Sequence, residues 1–230
     1  SLNATVTVQD NIAPNVITQN ITVELDANGV ASITPSMIDN GSSDACGIAT
    51  YALDITSFTC ATVGNGNIVT LTVTDVNGNA STCTAVVTIE DNVAPIANCQ
   101  AVTVQLDNAG NGSITTTQVN NGSTDNCAIA TYSLNNSSFT CSNVGSNNTV
   151  TLTVTDVNGN SSTCTAVATV VDLIPPTITC VNVTVALNAL GQVVVPAPPA
   201  NLPTDNCQIV SFTASQTSFG CANVGPNQVT

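Results

Sequence analysis

The sequence predicts an all-β protein built as a tandem array of small domains, which recur with a period of 81 in the numbering and are cross-linked by disulfides. Three observations support this prediction. The segment VTLTVTDVNGN at 69–79 returns unchanged at 150–160. Apolar and small polar residues alternate along much of the chain, and ten cysteines recur at corresponding positions. A constant period of this length indicates a repeat architecture.

The repeat defines the expected domains. Adding 81 to the residue number takes Asp10 to Asp91 and Asp91 to Asp172. The expected segments are the last strand of a preceding repeat (1–9), two full repeats (10–90 and 91–171) and a truncated repeat (172–230). Because both ends fall inside a repeat, we expect the chain to be a segment of a longer protein.

The alternation predicts strands with one buried face. Val69, Leu71 and Val73 share one face, and the threonines between them share the other. No segment has an apolar period of 3.6, so no helix is expected. About seven short strands in some 80 residues are typical of an immunoglobulin-like β-sandwich, one per repeat.

Turns and aromatic residues complete the predicted sandwich. Asn77-Gly78 and Asn158-Gly159 lie between two predicted strands and favour type I′ hairpin turns. The aromatic residues that recur at repeat positions are expected in the core: Tyr51, Tyr132, Phe58, Phe139 and Phe219.

The composition excludes several classes of partner. The chain has no Lys, Arg or His and 14 carboxylates. Nucleic acids and anionic membranes require basic patches, so neither is expected to bind. No apolar run approaches the roughly 20 residues of a membrane span, so we expect no membrane insertion in this segment. The cysteines indicate disulfides and an oxidising, extracellular location.

Recurring motifs resemble a known family. Asp-x-x-(Ala/Pro)-Pro followed by a cysteine opens the repeats at 91–99 and 172–180, and Thr-Asp-Asn-Cys follows at 124–127 and 204–207. Thr-Asp-x-x-Gly-Asn-x-x-x-Cys closes the second repeat at 155–164. These motifs resemble hyalin-repeat (HYR) domains, which are immunoglobulin-like modules of extracellular proteins. The composition, which lacks basic residues and is rich in Asn and Thr, is similar to that of the long arrays in giant surface adhesins of gliding Bacteroidota.

Six cysteines are expected to pair locally, because their spacing recurs as a set. The expected pairs, each 14 apart in the numbering, are Cys46–Cys60, Cys127–Cys141 and Cys207–Cys221. The other four cysteines allow two pairing schemes. An immunoglobulin-like topology places the first and last strands side by side and favours Cys99–Cys164, as the resemblance also implies. Cys83 would then face Thr18 as a free thiol, and Cys180 would await a partner beyond Thr230. The alternative, Cys83–Cys99 with Cys164–Cys180, closes all ten cysteines and stays open.

Oxygen-bearing residues are expected to gather at the junction of the first two repeats. By topology, two loops of the second repeat lie near its own N-terminal end, beside the linker. The candidate Ca²⁺ ligands are Glu90, Asp91, Asn92, Asp125, Asp156 and Asn158, with Asn126 and Asn160 nearby. The pattern is loosely similar to cadherin linkers. The alternative is that Asp156 caps a turn and Asp125-Asn126 forms an Asx-turn. A weaker site is expected at the preceding junction, from Asp10, Asn11, Asp44, Asp75 and Asn77.

No catalytic residue is expected. Paired carboxylates can hydrolyse glycosides, but here they recur in loops, and the chain has no Trp to bind sugars. A free Cys83 would have no His or Lys to activate it. The sequence therefore predicts a structural segment of a surface adhesin stalk or filament, whose partners are neighbouring repeats or identical chains. The alternatives are a subunit of a non-covalently self-assembling extracellular fibre, and a ligand-binding ectodomain whose third repeat differs at 193–203.

Overall fold

The computed structural model describes residues 2–64, 66–195 and 203–230. Contacts divide the chain into two compact units. The first unit comprises Ser1–Asn98, Gly122–Ser133 and Thr153–Thr163, and the second comprises Cys99–Asn121, Leu134–Leu152 and Cys164–Thr230. The first unit therefore contains the first predicted repeat, the segment that precedes it and three short segments of the second repeat (91–98, 122–133 and 153–163).

The first repeat forms six strands. They are β1 (Ile21–Glu24), β2 (Val30–Ser32), β3 (Ile48–Leu53), β4 (Ser57–Thr59), β5 (Asn67–Asp75) and β6 (Ala80–Glu90). One sheet has the order β1-β6-β5-β3, and β2 pairs with β4 in a second sheet. β1 runs parallel to β6, whereas the other pairs are antiparallel. A first strand parallel to the last is the immunoglobulin-like arrangement, so the predicted fold class is confirmed.

The second repeat has the same order of elements. Its strands are β7 (Val102–Gln105), β8 (Asn111–Ser113), β9 (Ile129–Leu134), β10 (Ser138–Thr140), β11 (Asn148–Asp156) and β12 (Ser161–Val171). They form a sheet of order β7-β12-β11-β9 and a pair β10-β8. In the third repeat, β13 (Gln192–Val194) pairs with β14 (Ser218–Gly220). Of its divergent segment 193–203, residues 196–202 lie outside the described residues.

The alternation of apolar residues builds the core. Val69, Leu71 and Val73 of β5 are completely buried, as predicted. They pack with Phe58 of β4, so the two sheets of the first repeat share one core. The prediction for the tyrosines is wrong: Tyr51 is 40% exposed, and its counterpart Tyr132 is 38% exposed. Their strands, β3 and β9, lie at sheet edges with only their end residues half-buried.

Two short helices correct the expectation that the chain has none. They are α1 (Pro35–Ile38) and α2 (Thr116–Val119), each a single turn. A four-residue helix is too short to show a 3.6-residue period, so the apolar pattern could not reveal it. Proline at the first position of α1 favours a helix start, because its missing N–H is not needed there. Among the described residues, none of the helices has the length and hydropathy to cross a membrane.

The hairpin between β5 and β6 also differs from its prediction. A type I′ turn requires positive φ at both central residues. Gly78 has φ +94°, but no non-glycine residue among those described has a positive φ, so Asn77 does not fit. The side chain of Asp75 accepts hydrogen bonds from the backbone N–H groups of Asn77 and Asn79 instead. The corresponding loop after Asp156 is built in the same way.

Candidate functional site

The first predicted repeat is covalently joined to the second by the disulfide Cys60–Cys127. Cys60 begins the 3-10 turn that follows β4, and Cys127 precedes β9. Their Cα atoms are 5.4 Å apart, and both side chains pack on the core of the first repeat. The link is therefore part of the packed interior of the first unit.

The predicted local pairs are wrong. Cys46 and Cys221 have exposed, free thiols, and Cys141 bonds to Cys207. The reason is the position of β3 between Cys46 and Cys60. Six residues of strand span about 20 Å, so the two cysteines lie at opposite ends of the sandwich. Cys46 precedes the strand end at Ile48, where β3 pairs with Asp75 of β5, whereas Cys60 lies beside the turn at Gly29.

A third disulfide lies within the second repeat. It joins Cys99 to Cys164, whose Cα atoms are 5.8 Å apart. The alternative pairing of these residues with Cys83 and Cys180 is not formed. Cys83 accepts a hydrogen bond from the hydroxyl group of Thr18, the residue that stands where the second repeat has Cys99.

Glycine permits the close approach at both repeat junctions. Gly29 has φ +72°, and a Cβ atom there would lie 2.7 Å from both the carbonyl oxygen of Asn126 and the sulfur of Cys60. Gly110 has the same role in the second unit, where its Cβ would lie 2.6 Å from the sulfur of Cys141 and 2.7 Å from the carbonyl oxygen of Asn206. Only glycine fits such a contact in this backbone conformation.

An asparagine side chain ties each junction together. Asn126 donates from Nδ2 to the backbone carbonyl of Asp26 at 3.2 Å and to the carboxylate of Asp91 at 3.1 Å. In the second unit, Asn206 donates in the same way to the carbonyl of Asp107 and the carboxylate of Asp172. The sequence predicts Asn126 beside the ligands or in an Asx-turn, but not this link between the repeats. The recurrence of Asn directly before Cys was the signal for it.

Three carboxylates meet at the first junction. Asp91, Asp125 and Asp156 each offer an oxygen, and these oxygens lie within 4.8 Å of one another. Asp91 is 5% exposed, Asp156 is 2% exposed, and Asp125 is half-buried. The three residues come from the linker after β6, the loop before β9 and the end of β11. The predicted convergence of these loops on the linker is therefore present.

Several oxygens of this cluster already accept hydrogen bonds. Asp156 binds the backbone N–H groups of Asn158 and Asn160 through Oδ1 and the side chain of Asn160 through Oδ2. Asp125 accepts from the N–H of Cys127 through Oδ2. Three other buried oxygens have no hydrogen-bond partner among the described residues: Asp91 Oδ2, Asp125 Oδ1 and Asn126 Oδ1.

The structure leaves three predicted ligands outside the cluster. Glu90 is exposed and lies opposite Glu24 in the parallel pair of β1 and β6. Asn92 is exposed and donates to the carboxylate of Glu24. Asn158 is exposed and contributes its backbone N–H to the turn at Asp156. The two alternatives to a metal site, a turn capped by Asp156 and an Asx-turn at Asp125, are both present.

The preceding junction is built from different groups. The possible ligand atoms that gather there belong to Asp10, Asp44 and the thiol of Cys46. A hydrogen bond to Asp10, and then the negative charge of Asp10, raise the pKa of the Cys46 thiol. Burial acts to raise the pKa of Asp75, but hydrogen bonds from Asn79 and the turn backbone outweigh it, so this pKa lies below its ordinary value.

Comparisons with known proteins identify no family for this chain. No family matches it by sequence, and neither does any curated protein. Among solved structures, human mucin-like protocadherin EC1-2 is 16% identical with a TM-score of 0.36, over 70% of this chain and 98% of that one. Drosophila N-cadherin EC1-4 is 12% identical with a TM-score of 0.38, over 69% of this chain and 49% of that one. TM-scores below 0.5 establish neither a family nor a function here.

Proposed function

We propose that this chain is a structural, non-catalytic segment of an extracellular surface adhesin, whose repeats form a stalk or filament. The observation that carries the proposal is the pair of disulfides Cys60–Cys127 and Cys141–Cys207, each joining consecutive repeats. Such bonds persist in oxidising compartments. The motifs that resemble HYR domains and the adhesins of gliding Bacteroidota support the same role. The proposal includes Ca²⁺ bound at the repeat junctions.

The two disulfides limit how far force can extend the chain. A pull passes through the bond Cys60–Cys127, so residues 61–126 carry no tension. The bond Cys141–Cys207 shields residues 142–206 in the same way. Only residues 128–140 remain on the load path between the two bonds. Unfolding between the first and the last of these four cysteines would therefore release little length, which is a useful property in a load-bearing stalk.

Force spectroscopy on the chain tethered at both ends tests this function. The paired cysteines are 67 and 66 residues apart, and each closed loop holds about 22 to 24 nm of extended chain. Complete reduction is expected to add about 45 nm to the extended length. The variant Cys60→Ser should add about a third of that without reductant, because the bond Cys99–Cys164 still bridges part of the freed chain. If the oxidised chain already extends to the length of all 230 residues, the proposal loses its main support.

A second candidate is a fibre of identical chains, and two exposed cysteines favour it. Cys46 corresponds to Cys127 in the repeat, and Cys221 corresponds to Cys141. Because those counterparts form bonds between repeats, Cys221 of one copy is placed to bond Cys46 of another. The two thiols would lose two protons and two electrons to a small disulfide such as oxidised glutathione.

Incubation with oxidised glutathione tests the fibre. Light scattering of the denatured, unreduced protein is expected to show oligomers whose masses are multiples of 23.1 kDa. Reduction should convert these oligomers to monomers. The variant Cys46→Ser should stop at a dimer through Cys221 or remain monomeric. Monomers alone from the unmodified chain would exclude this route of assembly and leave the single covalent stalk.

A further inference from the structure

We propose that Asp91, Asp125 and Asp156 bind one Ca²⁺ ion, with the side-chain oxygen of Asn126 as a further ligand. The inference rests on the proposed structural function, because the ion would hold the junction that the disulfide Cys60–Cys127 closes. The three carboxylates belong to the first unit, as do both cysteines. The site therefore joins the linker to two loops of the second repeat.

Unpaired buried oxygens carry this inference. Burial of a polar group without a hydrogen bond or an ion is costly, and such groups are rare in native proteins. Asp91 is only 5% exposed, yet its Oδ2 has no partner among the described residues. Oδ1 of Asp125 and Oδ1 of Asn126 are unpaired as well. A cation ligated by these oxygens would satisfy all three at once.

The charge of the cluster points to a cation for the same reason. Three carboxylates place their oxygens within 4.8 Å of one another, and the sequence contains no Lys, Arg or His that could pair with them. In most proteins a buried carboxylate is paired with a basic side chain or a metal ion. Here the basic side chain is excluded by composition, so a metal ion is the remaining source of positive charge.

The chemistry of the cluster favours Ca²⁺, and its size permits it. All candidate ligands are carboxylate or amide oxygens, which suit hard cations rather than zinc or copper. The carboxylate oxygens lie within 4.8 Å of one another, and two Ca–O bonds of about 2.3 to 2.6 Å bridge oxygens up to about 5 Å apart. Mg²⁺ demands near-ideal octahedral geometry and usually keeps several of its waters, so a site with four protein oxygens suits it less. Waters would complete the coordination.

The other junctions differ from this site in their ligands. At the preceding junction, Ala45 stands where the first junction has Asn126, and the possible ligand atoms that gather there belong to Asp10, Asp44 and Cys46. At the following junction, Asn206 again binds an aspartate, Asp172, and its own Oδ1 has no hydrogen-bond partner among the described residues. Asp205 corresponds to Asp125 there.

Calorimetric titration of the chelator-treated chain with CaCl₂ tests the site. We expect saturable binding that the variant Asp125→Asn weakens at least tenfold, and weaker binding of MgCl₂. The matched control is Asp107→Asn, which removes the same charge from a turn. Asn188 already fills the corresponding position of the third repeat and accepts the same two backbone hydrogen bonds. This control should leave the affinity within twofold.

Two results would overturn the site. One is the absence of saturable Ca²⁺ binding to the unmodified chain, which does not depend on any variant folding. The other is an equal loss of affinity in the Asp125→Asn and Asp107→Asn variants, which would indicate diffuse attraction to an acidic surface. Neither result bears on the length released under force, so the stalk and the calcium site can fail separately.

Discussion

Replacement of both Cys60 and Cys127 by serine is expected to lower the free energy of unfolding of the first repeat by about 4 kcal/mol. The bond joins cysteines 67 residues apart, and its loss returns that loop's conformational entropy to the unfolded chain. For a domain of this size the melting temperature should fall by roughly 15 °C or more. Differential scanning calorimetry measures the shift, and the transitions of the repeats need separate fits because the chain is not a single two-state domain.

The matched control for this prediction is Cys46→Ser. Cys46 has an exposed, free thiol, so its replacement should leave the melting temperature unchanged. If Cys46 were instead bonded to Cys60, as equal spacing along the sequence indicates, this single variant would break a disulfide and lower the melting temperature as well. That outcome would contradict the cross-link between repeats and, with it, the argument for a load-bearing stalk.

The cysteine pairing shows where sequence reasoning stops. In a periodic array, each cysteine has one possible partner inside its own repeat and an equivalent one in the neighbouring repeat. Both spacings recur along the chain, so spacing alone does not distinguish the two pairings. Cys60 therefore has a periodic partner on either side, Cys46 before it and Cys127 after it. The choice depends on which end of the sandwich each cysteine occupies, and that depends on the direction and length of β3. Strand direction predicts Cys99–Cys164, which is formed, whereas equal spacing alone predicts the local pairs, which are not.

The acidic cluster was within reach of sequence reasoning because loop positions follow from topology. Once β12 is recognised as the last strand, the loop before it must return to the N-terminal end of the sandwich, which brings Asp156 to the linker at Asp91. What could not be predicted is which polar neighbours turn inward. Glu90, Asn92 and Asn158 also carry carboxylate or amide oxygens, but their side chains are exposed and lie outside the cluster.

Substitution of Gly29 by alanine is expected to destabilise the first junction by about 2 to 4 kcal/mol, the combined effect of backbone strain and overpacking. A left-handed backbone costs an alanine about 1 kcal/mol or more, and the overpacking adds about 1 to 3 kcal/mol. The new Cβ would lie 2.7 Å from the carbonyl oxygen of Asn126 and from the sulfur of Cys60. Because one of the clashing atoms is backbone, the two repeats would have to separate locally. Calorimetry measures the loss, and thiol titration should detect incomplete closure of the disulfide.

Gly64→Ala separates the two contributions. Gly64 belongs to the same repeat and has φ +71°, nearly that of Gly29, but a Cβ there would meet nothing within 4 Å. Its substitution therefore carries the backbone cost alone, and the thiol count should not change. Gly110→Ala should reproduce the larger effect at the second disulfide, because its Cβ would meet the sulfur of Cys141 and the carbonyl oxygen of Asn206. Equal effects of Gly29→Ala and Gly64→Ala would mean that the repeats do not approach each other closely at this turn.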